Sequence, residues 1–373
     1  MKKTVLAFAV AAAVVVPAVA AADTALYGRM NVSLDAVDDG QESSGQLASN
    51  SSRLGVRGSE DLGFAGLKGV YQIEARLNGG NDQSRTFNGS DLTGRNTFLG
   101  LAGDFGELRL GKHDTAYKMA TLRLNFFADT LGDMHALAGQ FNVQNDPSIT
   151  GVDGTTFGAN FYSREDNTIV YMSPNFDGLQ FMGHYTTDRI SDRPGERAND
   201  QDSMSLAATF EQGPMFVTVA FEQRNEWLDQ NFDENDPNYA DGTAWKVGGT
   251  YQIQDLTLAA MFENIDSDVE GLGDRDLFHL GAKYQLGQAY VMGSFTSADD
   301  NDEDNTAADM WALGAGYDFT KRTGMYATYA QVSNDDNAGY GFGGGKGKPV
   351  APAISNNATE DVSGFQVGVT HNF

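Results

Sequence analysis

The chain has 373 residues, with 51 acidic and 25 basic side chains, 44 glycines, 8 prolines and no cysteine. The lack of cysteine excludes a disulfide scaffold, a thiol nucleophile and any cysteine-ligated zinc or iron–sulfur centre. A net charge of −26 argues against general binding to nucleic acid, and 40% hydrophobic with 11% aromatic residues can bury too much surface for a disordered chain.

Lys2 and Lys3 precede an apolar run from Val5 to Val16, then Pro17 and the small residues Ala20, Ala21 and Ala22. This is the layout of an export leader over residues 1–22, with cleavage expected before Asp23. The 18 apolar residues from Val5 to Ala22 also have the length of a membrane anchor. Their alanine content, the proline and the missing basic flank favour the leader. Loss of the two lysines would leave 23 basic and 51 acidic residues, a net charge of −28. An exported chain of this length without cysteine points to a bacterial envelope.

Beyond residue 22 no apolar run is long enough for a membrane helix. Instead, apolar and polar residues alternate. Leu26, Gly28, Met30, Val32 and Leu34 interleave with Tyr27, Arg29, Asn31, Ser33 and Asp35. Leu179, Phe181, Gly183 and Tyr185 do so with Gln180, Met182, His184 and Thr186. The same holds from Trp245 to Gln252 and from Phe278 to Gln285. Such segments are strands with one apolar and one wet face. Soluble sandwiches alternate too, but here the wet face is rich in Gly, Ser, Thr and Gln, and the connections differ in length on the two sides. Short turns are expected at 103–106, 174–178, 212–214, 254–255 and 320–322. Long acidic loops are expected at 188–202, 226–242, 266–276, 299–309 and 334–361. Together these predict an all-β fold: a transmembrane antiparallel β-barrel of about 16 strands over 23–373. A barrel that wide holds an aqueous channel. Tyr27, Tyr171, Tyr251, Tyr284, Tyr317 and Phe319 are candidates for the interfacial aromatic girdles, or for ordinary sheet packing.

Several stretches resemble a known family, the trimeric general porins of Gram-negative outer membranes in their neisserial and proteobacterial branch. Leu26-Tyr27-Gly28-Arg29 looks like the opening strand. The run from Ser52 through Arg53-Leu54-Gly55-Val56-Arg57 to Gly63 resembles the second strand and its turn. Phe98 to Leu101, Phe105 to Leu108 and Leu110-Gly111-Lys112 are similar to the fourth and fifth strands. Arg164 to Asn167 and Tyr171 to Pro174 resemble the stretch after the constriction loop. The alternating end from Val367 to Phe373 looks like the terminal signal read by the barrel-assembly machinery. The resemblance covers the whole chain after the leader. It implies a sixteen-stranded barrel, a homotrimer in outer-membrane lipid and lipopolysaccharide, and passive diffusion of small hydrophilic solutes; the residues themselves offer no catalytic constellation, so no enzymatic activity and no cofactor are expected. It also implies an extracellular loop folded inward over about 113–160. That loop carries Asp114, Asp129, Asp133, Asp146 and Asp153, with Leu122, Leu124, Phe126, Phe127, Leu131 and Leu137 to pin it; a plain surface excursion is the alternative.

Alternation sends Arg29, Arg53, Arg57, Arg76 and Arg109 inward, because an arginine on the lipid face would cost about 2–4 kcal/mol. They are the expected basic pore wall opposite the acidic constriction residues Asp114, Asp129 and Asp133, unless they pair locally as scaffolding. The acidic loops lead to an expected preference for cations that weakens at high salt, against which the arginines act at the eyelet. A substrate-specific channel with a binding site in the lumen is the second reading. The natural solutes are not legible. His113, His135, His184, His279 and His371 have no helical metal-ligand spacing. Asp300, Asp302 and Asp304 imitate an EF-hand that lacks its glycine and terminal glutamate. The run 343–348 lacks the first glycine of a phosphate loop.

Overall fold

The computed structural model describes residues 23–77, 94–142, 158–187, 202–225, 241–268, 273–342, 350–355 and 358–373. The leader expected over 1–22, Asp146, Asp153 and the 343–348 run fall on other residues.

Sixteen antiparallel strands form one closed barrel. In chain order they are β1 (Asp23–Asp38), β2 in two halves (Ser43–Ser49 and Arg53–Asp61), β3 (Lys68–Arg76), β4 (Thr97–Gly103) and β5 (Gly106–Asp114). Then come β6 (Arg164–Met172), β7 (Leu179–Thr186), β8 (Ser203–Gln212), β9 (Met215–Arg224), β10 (Gly242–Ile253) and β11 (Leu256–Ser267). The last are β12 (Gly273–Leu286), β13 (Ala289–Ala298), β14 (Ala308–Asp318), β15 (Thr323–Asn334) and β16 (Val362–Asn372). Each strand pairs with its sequence neighbours, and β1 pairs with β16 from Arg29↔Asn372 to Asp38↔Ser363, which closes the ring. Gly28 and Phe373 exchange two backbone hydrogen bonds of 3.0 Å at the seam. β2 is interrupted at Asn50 to Ser52, where Ser51 takes φ 55°; both halves pair with β1.

The period-two pattern maps onto the two faces of the wall. Leu34 and Leu280 are 67% and 58% exposed on the outside, whereas their neighbours Ser33 and His279 are buried inside. Tight turns join the strands at one end, among them 104–105, 213–214, 254–255 and 287–288. The length asymmetry is less complete than expected: β11 and β12 extend until only 268–272 connects them, because strand pairing continues through Asp266 and Asp274. Tyr171, Tyr251, Tyr284, Tyr317 and Phe319 are exposed on the outer face close to turns. Tyr27 is a correction, since its odd position in β1 turns it into the lumen. There its hydroxyl donates to Glu74 at 2.8 Å.

The described parts of the connection between β5 and β6, residues 115–142 and 158–163, pack against the inward face of the barrel. Helix α1 (Ala116–Ala120) opens it, with the Thr115 hydroxyl accepting from the Lys118 amide at 3.1 Å as N-cap. A 3-10 turn (Met134–Ala136) follows, capped by Asp133. Two stretches, Gln140–Asn142 and Gly158–Asn160, pair with each other on the way back. Leu124, Phe127, Leu131 and Leu137 of this segment pack on Ala259, Met261, Met292, Ala312 and Ala330 of the inward wall. At its two ends, Ala116 and Tyr117 with Phe161 meet Met182, Ala207, Ala220 and Ile265. The inward face is therefore wet along only part of the circumference. Where the segment rests, it is lined by small and apolar residues, as removal of both surfaces from water requires.

Two inward glycines set how closely the segment approaches. A Cβ at Gly248 would stand 2.5 Å from Leu124, and one at Gly314 would stand 2.8 Å from Phe127. Gly314→Val should overpack this contact, costing about 1–3 kcal/mol. It should push Phe127 toward the lumen, lowering the thermal unfolding midpoint and the ionic conductance together; unchanged values for both would place the segment elsewhere.

Candidate functional site

The site is the part of the lumen between the inner segment and the wall β1–β5. Arg29, Arg53 and Arg76 sit opposite one another on three adjacent strands, through the pairs Arg29↔Arg53 and Arg53↔Arg76. All three point inward, because Met30 and Leu54 beside the first two, and Ile73 at the opposite parity to Arg76 in β3, are exposed on the outer face. Arg57 continues the row along β2, and Arg109 lies on β5 between Leu108 and the exposed Leu110. Facing this row, Asp129 of the inner segment pairs with Arg29 (Nη1 to Oδ2, 3.1 Å). The Asp129 backbone has φ 60°, and its carbonyl accepts from Asn31 Nδ2 at 3.2 Å. This strained conformation is held in place by the wall. Arg95, which the sequence reading passed over, pairs with Glu74, the carboxylate that also accepts from Tyr27.

The other two acidic candidates lie elsewhere. Asp114 is the last residue of β5, carried there by a register shift between Gly111 and His113. It is bridged by Lys118 at 2.7 Å and Arg164 at 2.9 Å. Asp133 is 4% exposed; it caps the 3-10 turn, accepts from Asn125 Nδ2 at 2.7 Å and contacts His135 Nδ1 at 2.9 Å. Of the three, Asp129 is the one that pairs with Arg29 of the row. Asp300, the first residue of the EF-hand imitation, accepts instead from the amides of Thr306 and Ala307 at 2.7 and 2.9 Å.

A buried polar cluster fixes the inner segment from behind, and the sequence reading missed it. Glu263 of β11 is 0% exposed. One oxygen accepts from the Tyr117 hydroxyl at 2.9 Å, and the other from the Gly139 amide at 2.6 Å. A single carboxylate thus ties both arms of the segment to the wall. Arg275 of β12 pairs with it at 3.3 Å and donates to the Leu137 carbonyl at 3.1 Å and to the Tyr340 hydroxyl at 2.9 Å. Lys246 of β10 places its ammonium 3.7 Å from the centre of the Tyr117 ring, and the Tyr117 amide donates to Ser205 Oγ at 2.7 Å. Burial and the Glu263 charge raise the Tyr117 pKa well above its ordinary value, so the hydroxyl remains the donor. Charges at alternate positions of β9–β12 were the available signal.

Glu263→Ala would take the carboxylate from the buried Arg275 and leave the Tyr117 hydroxyl and the Gly139 amide without this acceptor, an effect of about 3–5 kcal/mol. The expected outcome is an open channel with strongly increased current noise and earlier thermal unfolding; a quiet channel with wild-type stability would show that the segment is held by other contacts.

Several known proteins are similar to this chain. The Outer membrane porin protein 32 of Delftia acidovorans is 26% identical over 294 residues, covering 68% of this chain and 78% of that protein. A monosaccharide porin of a Halomonas species is 26% identical over 288 residues, covering 73% of each. Among solved structures, the anion-selective porin from Comamonas acidovorans superposes with a TM-score of 0.74 at 23% identity, covering 95% of this chain and all of that one. The family model described as Gram-negative porin matches residues 9–337, and the chain belongs to that family, a barrel of the bacterial outer membrane.

Proposed function

We propose that this porin forms a water-filled channel for passive diffusion of ions and small hydrophilic solutes, that the inner segment is its constriction, and that the fixed charge there favours anions. The observation that carries the reading is the inward row Arg29, Arg53 and Arg76, met by Asp129 of the inner segment at Arg29. The preference for cations expected from the acidic loops loses its support beside the inner segment. Asp114 is held between Lys118 and Arg164, Asp133 is buried, and Asp129 is matched by Arg29. On the wall side, Glu74 is taken by Arg95, which leaves Arg53 without a carboxylate contact among the described residues. The fold is shared with a porin described as anion-selective. A row of arginines facing an aspartate also sets up a transverse field, which orders dipolar solutes and disfavours apolar ones. The segment from β5 to β6 acts as the constriction because its described parts pack on the inward wall and cannot leave without exposing both apolar clusters. A lumen site specific for one solute class is the second reading, favoured by the named monosaccharide porin. We include assembly as a homotrimer, contact with lipopolysaccharide and delivery by the barrel-assembly machinery through Phe373 as what the family resemblance implies.

The test is reconstitution into a planar bilayer under a potassium chloride gradient. Large, non-saturating conductance steps and a reversal potential on the chloride side are expected. Arg53→Gln with Arg76→Gln should move the reversal potential toward potassium, and Asp129→Asn should move it further toward chloride. A potassium-dominated reversal potential at about 1 M salt, where the Debye length is about 3 Å and the outer loops are screened, would overturn the assignment of anion preference.

A further inference from the structure

Below the arginine row, toward the short-turn end, β1 to β5 carry an inward run in which cations and flat groups alternate. Arg57 opposes Gln72, and Gln72 opposes Phe98, so three adjacent strands place them side by side. The Arg57 guanidinium carbon is 4.8 Å from the centre of the Tyr27 ring. That of Arg109 is 4.5 Å from the centre of the Phe98 ring. Tyr27 can lie flat across β2 because residue 55 is glycine, where a Cβ would come within 2.5 Å of the ring.

The two guanidiniums differ in what else they touch. Arg109 is engaged by Glu107 at 2.8 Å and by His113 Nε2 at 2.7 Å. Arg57 is exposed to the lumen and has no carboxylate contact among the described residues. Stacking on Tyr27 restrains its plane, while the N–H edge stays available for a bidentate anion. The half-buried Phe98 ring lies two strands away.

We infer that this run is a binding station for small carboxylates that bear an aromatic ring. The carboxylate pairs with Arg57, and the ring of the solute packs on Phe98 over the Gln72 amide. The inference deepens the channel reading and rests on it. Attraction by charge alone would treat all small carboxylates alike, and a purely apolar wall would favour uncharged rings; the alternation of the two selects solutes that have both.

The experiment measures block of potassium chloride current in reconstituted channels by benzoate, cyclohexanecarboxylate, acetate and benzyl alcohol. Benzoate should act at about three- to tenfold lower concentration than cyclohexanecarboxylate, the range expected for an added aromatic pair. Acetate and benzyl alcohol should act more weakly still. Arg57→Gln should weaken block by benzoate and cyclohexanecarboxylate together by about tenfold or more, as loss of a charged hydrogen bond predicts. Phe98→Leu should erase the advantage of benzoate and retain the carboxylate block. Equal block by benzoate and cyclohexanecarboxylate in the wild-type channel, or no effect of Arg57→Gln, would overturn the station and leave the channel standing. Absence of potassium chloride steps would overturn the channel reading itself.

Discussion

In hydrocarbon, a backbone N–H or C=O without a partner costs several kcal/mol, and a sheet can satisfy every such group only by closing on itself. The pairing of β1 with β16 is therefore the contact on which the rest of this protein depends. It joins residues more than three hundred positions apart, so no local propensity produces it. Once the ring is closed, the period-two alternation acquires two meanings, lipid outside and lumen inside. The diameter follows from the number of strands, and sixteen strands enclose more space than their own side chains can fill.

That surplus space explains the inner segment and the wall behind it. A connection of this length inside a barrel needs its own apolar contacts and its own hydrogen-bond partners. The inward alanines and methionines of β7–β15 supply the first, and Glu263, Arg275 and Ser205 supply the second. Burying Glu263 beside Arg275 would be costly if the carboxylate had fewer donors, but the Tyr117 hydroxyl and the Gly139 amide complete its shell. The arrangement is directional. Hydrogen bonds to fixed backbone and wall atoms hold the segment at one height, which apolar packing alone would leave free to slide.

Alternation along Leu26 to Asp35 and Phe278 to Gln285 was enough to assign outer and inner faces, because lipid and water impose the pattern residue by residue. The same parity placed Arg29, Arg53, Arg57, Arg76 and Arg109 on the inward face. It also held the information that Tyr27 is inward, which proximity to a strand end obscured. What local pattern could not carry was contact across the lumen. Asp114 and Asp133 look like Asp129 in the sequence, yet one belongs to a strand end between two cations and the other caps a turn. Their difference comes from Arg164, Lys118 and Asn125, whose positions are set by the register of β6 and by the path of the inner segment. The inward apolar wall was hidden for a related reason. Ala207, Ala220, Met261 and Met292 read as neutral members of a mixed face until the segment that covers them is in place.

Charge acts in this channel at two ranges. The excess of carboxylates gives the whole molecule a strong negative sign, and at physiological salt its influence extends about 8 Å from each exposed charge. On the proposed reading, the arginines of β1–β3 act where water is confined between the wall and the inner segment, and charges in confined water are screened less than those in open loops. A solute approaching from outside meets the negative field first. Inside, it meets Arg53, with no carboxylate contact among the described residues, and Arg29 facing Asp129. Raising the ionic strength removes the first field faster than the second. The sign of the net charge therefore predicts neither the preferred ion nor its dependence on salt; the position of each charge relative to confined water does, and in this barrel that position follows from strand parity and from the carboxylate that anchors both arms of the inner segment.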